Sequence, residues 1–237
     1  MATLGERKAK VEKLGRIREF VFGIQDGLVS TVGLLTGIHS ATGSRSAVLL
    51  TGLAAMVTGG LSMATGSYLS TLAEKEIFDK ELKDQEAFAR EEPYQAKEGL
   101  LEALEREGLS SPIAYRIVQL MAHEKEVFLR TFQEKVLGIG SAEVRNPLRA
   151  AAVMYVSFMV GGGIPLLPYL LLQGALALFV SCGLSAAVLF GVGSWKGKLA
   201  GRSPILSGLQ FFAVAVGSAL IGYLVGTGVE RLTGAEG

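Results

Sequence analysis

Residues 18–38 read REFVFGIQDGLVSTVGLLTGI, and from Phe20 onward Asp26 is the one charged residue in a long apolar run. A run of that length is read as a membrane-spanning helix. A carboxylate near the middle of a span costs roughly 2.5–3.5 kcal/mol on insertion scales. Something must offset that cost: a cation, a partner group or water in a pathway. Asp26 therefore reads as part of an ion route. The competing reading is a structural Asp bonded to backbone at a helix break, because Gly23 and Gly27 flank it. Met63, in GGLSMATGSYLS (residues 59–70), is a second candidate. A thioether is a soft ligand, suited to borderline or soft transition metals rather than to Mg or Ca. A Met in a span is ordinarily packing, and Met63 gains weight as a ligand only beside Asp26.

A third group lies between these spans and the rest of the chain. Glu98, Glu102 and Glu105 recur at i, i+4 and i+7, which puts three carboxylates on one helix face. Met121 and Glu124 are three apart and are expected to face the same way on a later helix, with His123 beside them. Glu74, Glu81, Asp84 and Glu86 stand on an earlier one. Carboxylates converging from several helices can hold iron, manganese or zinc. The plainer reading is a solvated face with i,i+4 pairs, which Lys83, Lys97 and Lys125 would suit.

Other chemistries find little support. There is no G-x-x-x-x-G-K-S/T phosphate loop. His39 and His123 are the only histidines, so a His-rich metal site is excluded. Basic residues are not interleaved with aromatics as nucleic-acid binding would require. The single cysteine, Cys182, excludes an intrachain disulfide and reads as a buried thiol.

The elements that must position these residues follow from composition. Of 237 residues 49% are hydrophobic and 19% charged, and glycine is abundant at 31; mean hydropathy is +0.40. That is a polytopic membrane protein. Its net charge of +1 hides a segregation: residues 73–146 hold 16 acids and 11 Lys or Arg, leaving six acids elsewhere. The expected fold is an all-α membrane protein of five transmembrane helices, with a three-helix insert between the second and third spans. The spans are placed at 19–39, 47–72, 148–166, 169–194 and 204–228, each near the ~20 residues needed to cross a bilayer. The segment Gly161–Pro168 (GGGIPLLP) is expected to be a tight apolar turn or a broken helix between the third and fourth. A four-span alternative makes 148–194 a re-entrant hairpin. In the insert, 73–91 continues the second span, Pro93 opens a second helix that Gly108 closes, and a third runs from Ser110 or Ser111 to about Leu137.

Basic residues in short loops set orientation. Arg7, Lys8, Lys10, Lys13, Arg16 and Arg18 precede the first span, and Lys196, Lys198 and Arg202 follow the fourth. Only Arg45 lies between the first two spans, and only Arg231 near the C-terminus. The N-terminus, the insert and the 195–203 loop are thus expected in the cytoplasm, and the C-terminus outside. No targeting segment is visible, which suits a prokaryotic plasma membrane.

FGIQDGLVSTVGLLTGI and GGLSMATGSYLS resemble the first two spans of the vacuolar iron transporter family. NPLRAAAVMYVSFMVGGGIPLLPYLLL from Asn146, and the glycine-rich fifth span, agree. The resemblance implies a homodimer with a cation pathway at its interface. It implies transport of Fe(II) and related ions, with Mn(II), Co(II) and Zn(II) as candidates, out of the cytosol in exchange for protons. The metal is cargo, and no cofactor is implied. Asp26 and Met63 fall on the family's pathway positions, and Met121 and Glu124 on its Met-x-x-Glu pattern. Glu86, Glu98 and Glu102 complete the expected metal-capturing set. Ala55 and Ser67 stand where members often carry a second-span glutamate, and Gln85, Phe88, Gln95 and Ala96 stand near expected acids. Two rival functions are a non-transporting metal sensor or scaffold whose acidic insert binds a partner, and a membrane-anchored ferroxidase, which would want paired Glu-x-x-His motifs that the insert lacks.

Overall fold

The computed structural model describes residues 4–136 and 146–233, with side chains described from Ile17 onward. Every described element is helical: α1 (Leu4–Thr42), α2 (Arg45–Glu91), α3 (Pro93–Arg106), α4 (Ser111–Ala122), α5 (Lys125–Val136), α6 (Pro147–Leu171), α7 (Gly174–Leu199) and α8 (Pro204–Thr233). Five of them, α1, α2, α6, α7 and α8, are long and apolar enough to cross a membrane. The chain forms two compact units: Ser70–Arg145, and the segments that precede and follow it. The last part of α2 belongs to the first of these and its beginning to the second.

In the membrane unit, α1 is the central helix. Its span is 56% buried, against 17% for that of α8. Lipid tails are as apolar as leucine side chains, so close backbone approach, rather than hydrophobicity, holds such helices together. The glycines supply that approach. Gly23 and Gly27 lie against Ser157, Phe158 and Gly162 of α6, and Gly161 of α6 lies against the Ile24 carbonyl. A turn or two later, Gly33 and Gly37 meet Ser218, Gly222 and Gly226 of α8, where Ser218 Oγ also donates to the Val29 carbonyl at 2.7 Å. Val21, Ile24 and Leu28 of α1 pack on a third side against Ala186 and Leu189 of α7 and Phe211 and Ala215 of α8.

The GGGIPLLP segment is not a turn. α6 runs through it, with Pro165 and Pro168 inside the helix, and the break falls at Leu172–Gln173. α6 and α7 are separate helices of 25 and 26 residues, so the four-span alternative does not hold. A turn inside the hydrocarbon would leave backbone groups without partners, whereas proline is tolerated in a membrane helix when neighbours compensate. Here Ser181 Oγ of α7 donates to the Pro165 carbonyl at 2.7 Å. The α6 terminus is capped from α2: Arg45 donates to the Tyr169 carbonyl through Nε and to the Leu170 carbonyl through Nη2, both at 2.6 Å. Gly174, with φ of +59°, makes the turn into α7.

The smaller unit packs around Ala96, Leu100 and Leu104 of α3, Ala114 and Val118 of α4, and Phe128 and Phe132 of α5, with Ala89 from the end of α2. Phe88 and Phe128 each stack on Phe132, at centroid distances of 6.2 and 6.1 Å. Gly108, with φ of +102°, lets Leu109 N donate back to the Leu104 carbonyl at the end of α3. The expected single third helix is two. α4 tightens at its end through His123 N to Leu120 O and Glu124 N to Met121 O, and α5 starts afresh from Glu124. The break lets two apolar stripes, Ala114/Val118 and Phe128/Phe132, both reach the core.

A Cβ at Gly222 would collide with the main chain of Gly33, whereas one at Gly228 would meet nothing within 4 Å. Overpacking of this kind costs about 1–3 kcal/mol. Gly222→Ala should therefore lower the thermal denaturation midpoint in detergent, and Gly228→Ala should leave it near wild type. Equal midpoints for the two variants would show that α1 and α8 are not held by main-chain contact.

Candidate metal pathway

On α1 the two glycine stripes point to different neighbours, and Phe22, Asp26 and Ser30 recur at i, i+4 and i+8 on a line belonging to neither. Phe22 is 50% exposed and Ser30 exposed, while Asp26 is half-buried. No helix break surrounds Asp26: α1 is continuous from Leu4 to Thr42. Ser30 Oγ donates to the Asp26 main-chain carbonyl at 2.6 Å, which leaves the carboxylate itself untouched. Among the described residues no Lys, Arg or His lies within ion-pair distance of that carboxylate and none donates a hydrogen bond to it. The expected helix break beside a structural Asp is therefore absent, and the Asp26 side chain lies on the face of α1 that neither glycine stripe uses.

Met63 is half-buried on α2. One turn earlier, Gly59 lies against the Phe158 ring, with its Cβ position 2.8 Å from Cζ, and Gly60 against Tyr155 and Met159, 3.5 Å from the Met159 sulfur. The residue next to Asp26, Gly27, packs on the main chain of the same Phe158. Phe158 is thus touched by α1 beside Asp26 and by α2 beside Met63. Sequence reasoning passed over Met56, which is seven residues before Met63 and so on the same helix face. Its side chain lies against Gly162 and Gly163 of α6. The i, i+7 spacing was the available signal.

The smaller unit brings together less than its sequence suggests. Glu98 and Glu102 line one hollow with Tyr94, Gln95, Phe88 and Phe132. Glu86 is paired with Arg90, and Glu102 with Arg106 at 3.3 Å, both i,i+4 and exposed. Lys135 Nζ reaches both Glu107 oxygens, at 2.8 and 2.9 Å, and that contact raises its pKa above the usual lysine value. Met121 packs against the unit's apolar core. Glu124 is exposed at the break between α4 and α5, so Met121 and Glu124 do not share a helix face as the spacing suggested. Among the described residues no three His, Cys, Asp or Glu gather closely enough to hold a metal ion.

Comparison with known proteins gives a match to the VIT family model over residues 17–227. The chain is 27% identical to vacuolar iron transporter 1 of Tulipa gesneriana over 218 residues, 91% of this chain and 88% of that protein. It is 29% identical to vacuolar iron transporter 1 of Arabidopsis thaliana, covering 86% of this chain and 82% of the other. The vacuolar iron transporter of Toxoplasma gondii is 27% identical over 230 residues, 93% of this chain and 76% of its own.

The packing of Met121 separates two roles for its sulfur. Met121→Leu conserves volume and should cost less than about 1.5 kcal/mol of stability. If the side chain only packs, binding of Mn(II) or Fe(II) to the purified protein should be unchanged as well. A loss of metal affinity at unchanged melting temperature would make the sulfur a ligand.

Proposed function

The chain belongs to the VIT family, and on that premise we propose that it carries divalent iron, and Mn(II) beside it, out of the cytoplasm in exchange for protons. The observation that carries this reading is the Asp26 carboxylate, set in a membrane span without a cation or a hydrogen-bond donor among the described residues. A polar group so placed needs an ion or water to offset its burial. Asp26 supplies the charge that draws the metal into the span, and Met63 supplies a soft donor that favours transition metals over Mg and Ca. The family is one of transporters, and the chain is not an enzyme.

One carboxylate and one thioether do not fill the coordination shell of a divalent ion. A second copy of the chain would double both, which supports a homodimer with the pathway between copies. The basic N-terminal segment and the positive-inside rule support a cytoplasmic N-terminus and insert. Glu98 and Glu102 then act as a cytoplasmic metal collector, together with Glu86, Met121 and Glu124. The relatives are eukaryotic and vacuolar by name, so they lend no support to the prokaryotic plasma membrane expected from the sequence. The sensor or scaffold reading retains one favouring observation: Ala55 and Ser67 replace carboxylates that a proton-coupled carrier would use.

Proteoliposome flux decides between them. Wild type should accumulate Fe(II), and Asp26→Asn should lower the rate at least about tenfold, the smaller end of the loss seen even for outer-shell partners of a metal. Wild-type flux in a well-folded Asp26→Asn protein would remove Asp26 from the pathway, and no flux in wild type would favour the sensor. Met63→Leu should weaken Fe(II) transport more than Mn(II) transport if the sulfur is a ligand, because Mn(II) is the harder ion. An equal loss for both ions would indicate packing.

The collector role has its own signature. Replacing Glu98, Glu102 and Glu124 together by Gln should raise the half-saturating metal concentration and leave most of the maximal rate. A maximal rate that falls to that of Asp26→Asn would place these residues in the gate instead.

A further inference from the structure

The far end of α1 holds polar side chains that neither metal coordination nor helix packing accounts for. His39 and Ser40 sit on its last turn, before Gly43 leads into α2. Tyr169 approaches from α6 with its ring centroid 5.8 Å from that of His39 and the planes inclined at 57°. Tyr169 is only 1% exposed. Its Oη, His39 Nδ1 and Ser40 Oγ are all buried, and none has a hydrogen-bond partner among the described residues. Buried polar atoms in native proteins are nearly always satisfied, and an internal water needs two to four polar partners. These atoms are of the right kind to hold one.

His39 is thirteen residues from Asp26, about 20 Å along a helix, so the two cannot share an ion. The other ionisable groups near this end are few. Arg45 of α2 is committed to the Tyr169 and Leu170 carbonyls. Cys182 of α7 lies 3.6 Å from the Thr36 hydroxyl, one turn before His39 on α1. Glu230 of α8 stands one turn past Gly226, which meets Gly37 of α1. Of these groups only an imidazole ordinarily changes charge between about pH 5 and 8. A single imidazole beside a phenol, with a guanidinium on the same helix end, is too poor a donor set for a divalent metal. It is sufficient for a proton.

Resting on the transport reading above, we propose that His39, with Tyr169 and a bridging water, is a proton-binding station at the end of the bundle where α1 turns into α2. The proton comes from solvent on that side and adds to the imidazole. Protonation rises as that side is acidified, and so does the supply of protons for exchange. The station lies on α1 itself, where no second-span carboxylate is needed.

Two measurements test it, one of them independent of transport. His123→Gln leaves His39 as the sole histidine, so 15N-histidine labelling of the full chain in detergent reports one imidazole. Its nitrogen shifts should titrate with pH, and the midpoint should move by at least about half a pH unit in Tyr169→Phe. An imidazole that does not titrate, or a midpoint indifferent to Tyr169→Phe, overturns the station. In proteoliposomes, wild-type iron flux should rise several-fold as the α1-terminal side goes from about pH 7.5 to 5.5, and His39→Gln should flatten that rise to within twofold. Superimposable pH profiles overturn the proposal. A wild type with no iron flux at any pH refutes the transport reading instead, and the imidazole titration then decides the station alone.

Discussion

Main-chain contact along α1 is the constraint on which the membrane unit depends. In lipid, burying a leucine between helices gains little, because the tails it leaves are equally apolar. What remains is dispersion between surfaces that can come close, and α1 achieves it twice. Gly23 and Gly27 admit α6, and Gly33 and Gly37 admit α8, each met by small residues on the partner. A helix clamped on two sides by backbone cannot rotate about its axis without losing both contacts. The line Phe22–Asp26–Ser30, outside both stripes, is therefore fixed in direction by residues that have no chemistry of their own. The glycines that flank Asp26 suggest a broken helix when read locally; in the fold they are what keeps the helix straight and placed.

The same constraint explains which parts of the structure were legible in the sequence. The five spans were, because hydropathy over about twenty residues is a local quantity. Asp26 can be singled out in the same way, because a lone carboxylate in such a run needs no neighbours to stand out. The GGGIPLLP segment was misplaced as a turn because Gly and Pro punctuate chains in water. Within hydrocarbon the loss of backbone hydrogen bonds outweighs that tendency, and Gly161 and Gly162 serve contacts with Ile24 and Met56 that lie over a hundred residues away. The break at His123–Glu124 was missed for the complementary reason. Nothing in AHEK is a breaker, and the chain bends there because Phe128 and Phe132 must reach the core shared with Leu100. Met121 and Glu124 were read as one face on that missing continuity. His39 and Tyr169, 130 residues apart, carry no joint signal at all.

The two candidate donors also differ in how they are held. Met63 stands one turn after Gly59 and Gly60, which pack on α6, and is itself half-buried. Asp26 stands on the line of α1 that neither glycine stripe uses. A thioether costs little to keep dry, since it is largely apolar to begin with. An unpaired carboxylate is the opposite: dry and empty, it is expensive. On the proposed reading the sulfur would contribute selectivity and the carboxylate driving force, from two separate helices that both approach Phe158.

Charge balance then bears on assembly. A divalent ion on one carboxylate leaves a net positive charge inside the membrane, which the thioether of Met63 cannot offset. Positions 55 and 67 of the second span, Ala55 and Ser67, add no charge. Under the proposed pathway a second negative charge would be needed, and a second copy of the chain, with its own Asp26, would supply one. On the transport reading, uncharged residues at those two positions favour a dimer and argue against proton exchange at the metal site alone. A proton taken up elsewhere on the chain, at the far end of α1, would relieve that tension without asking one carboxylate to serve both ions.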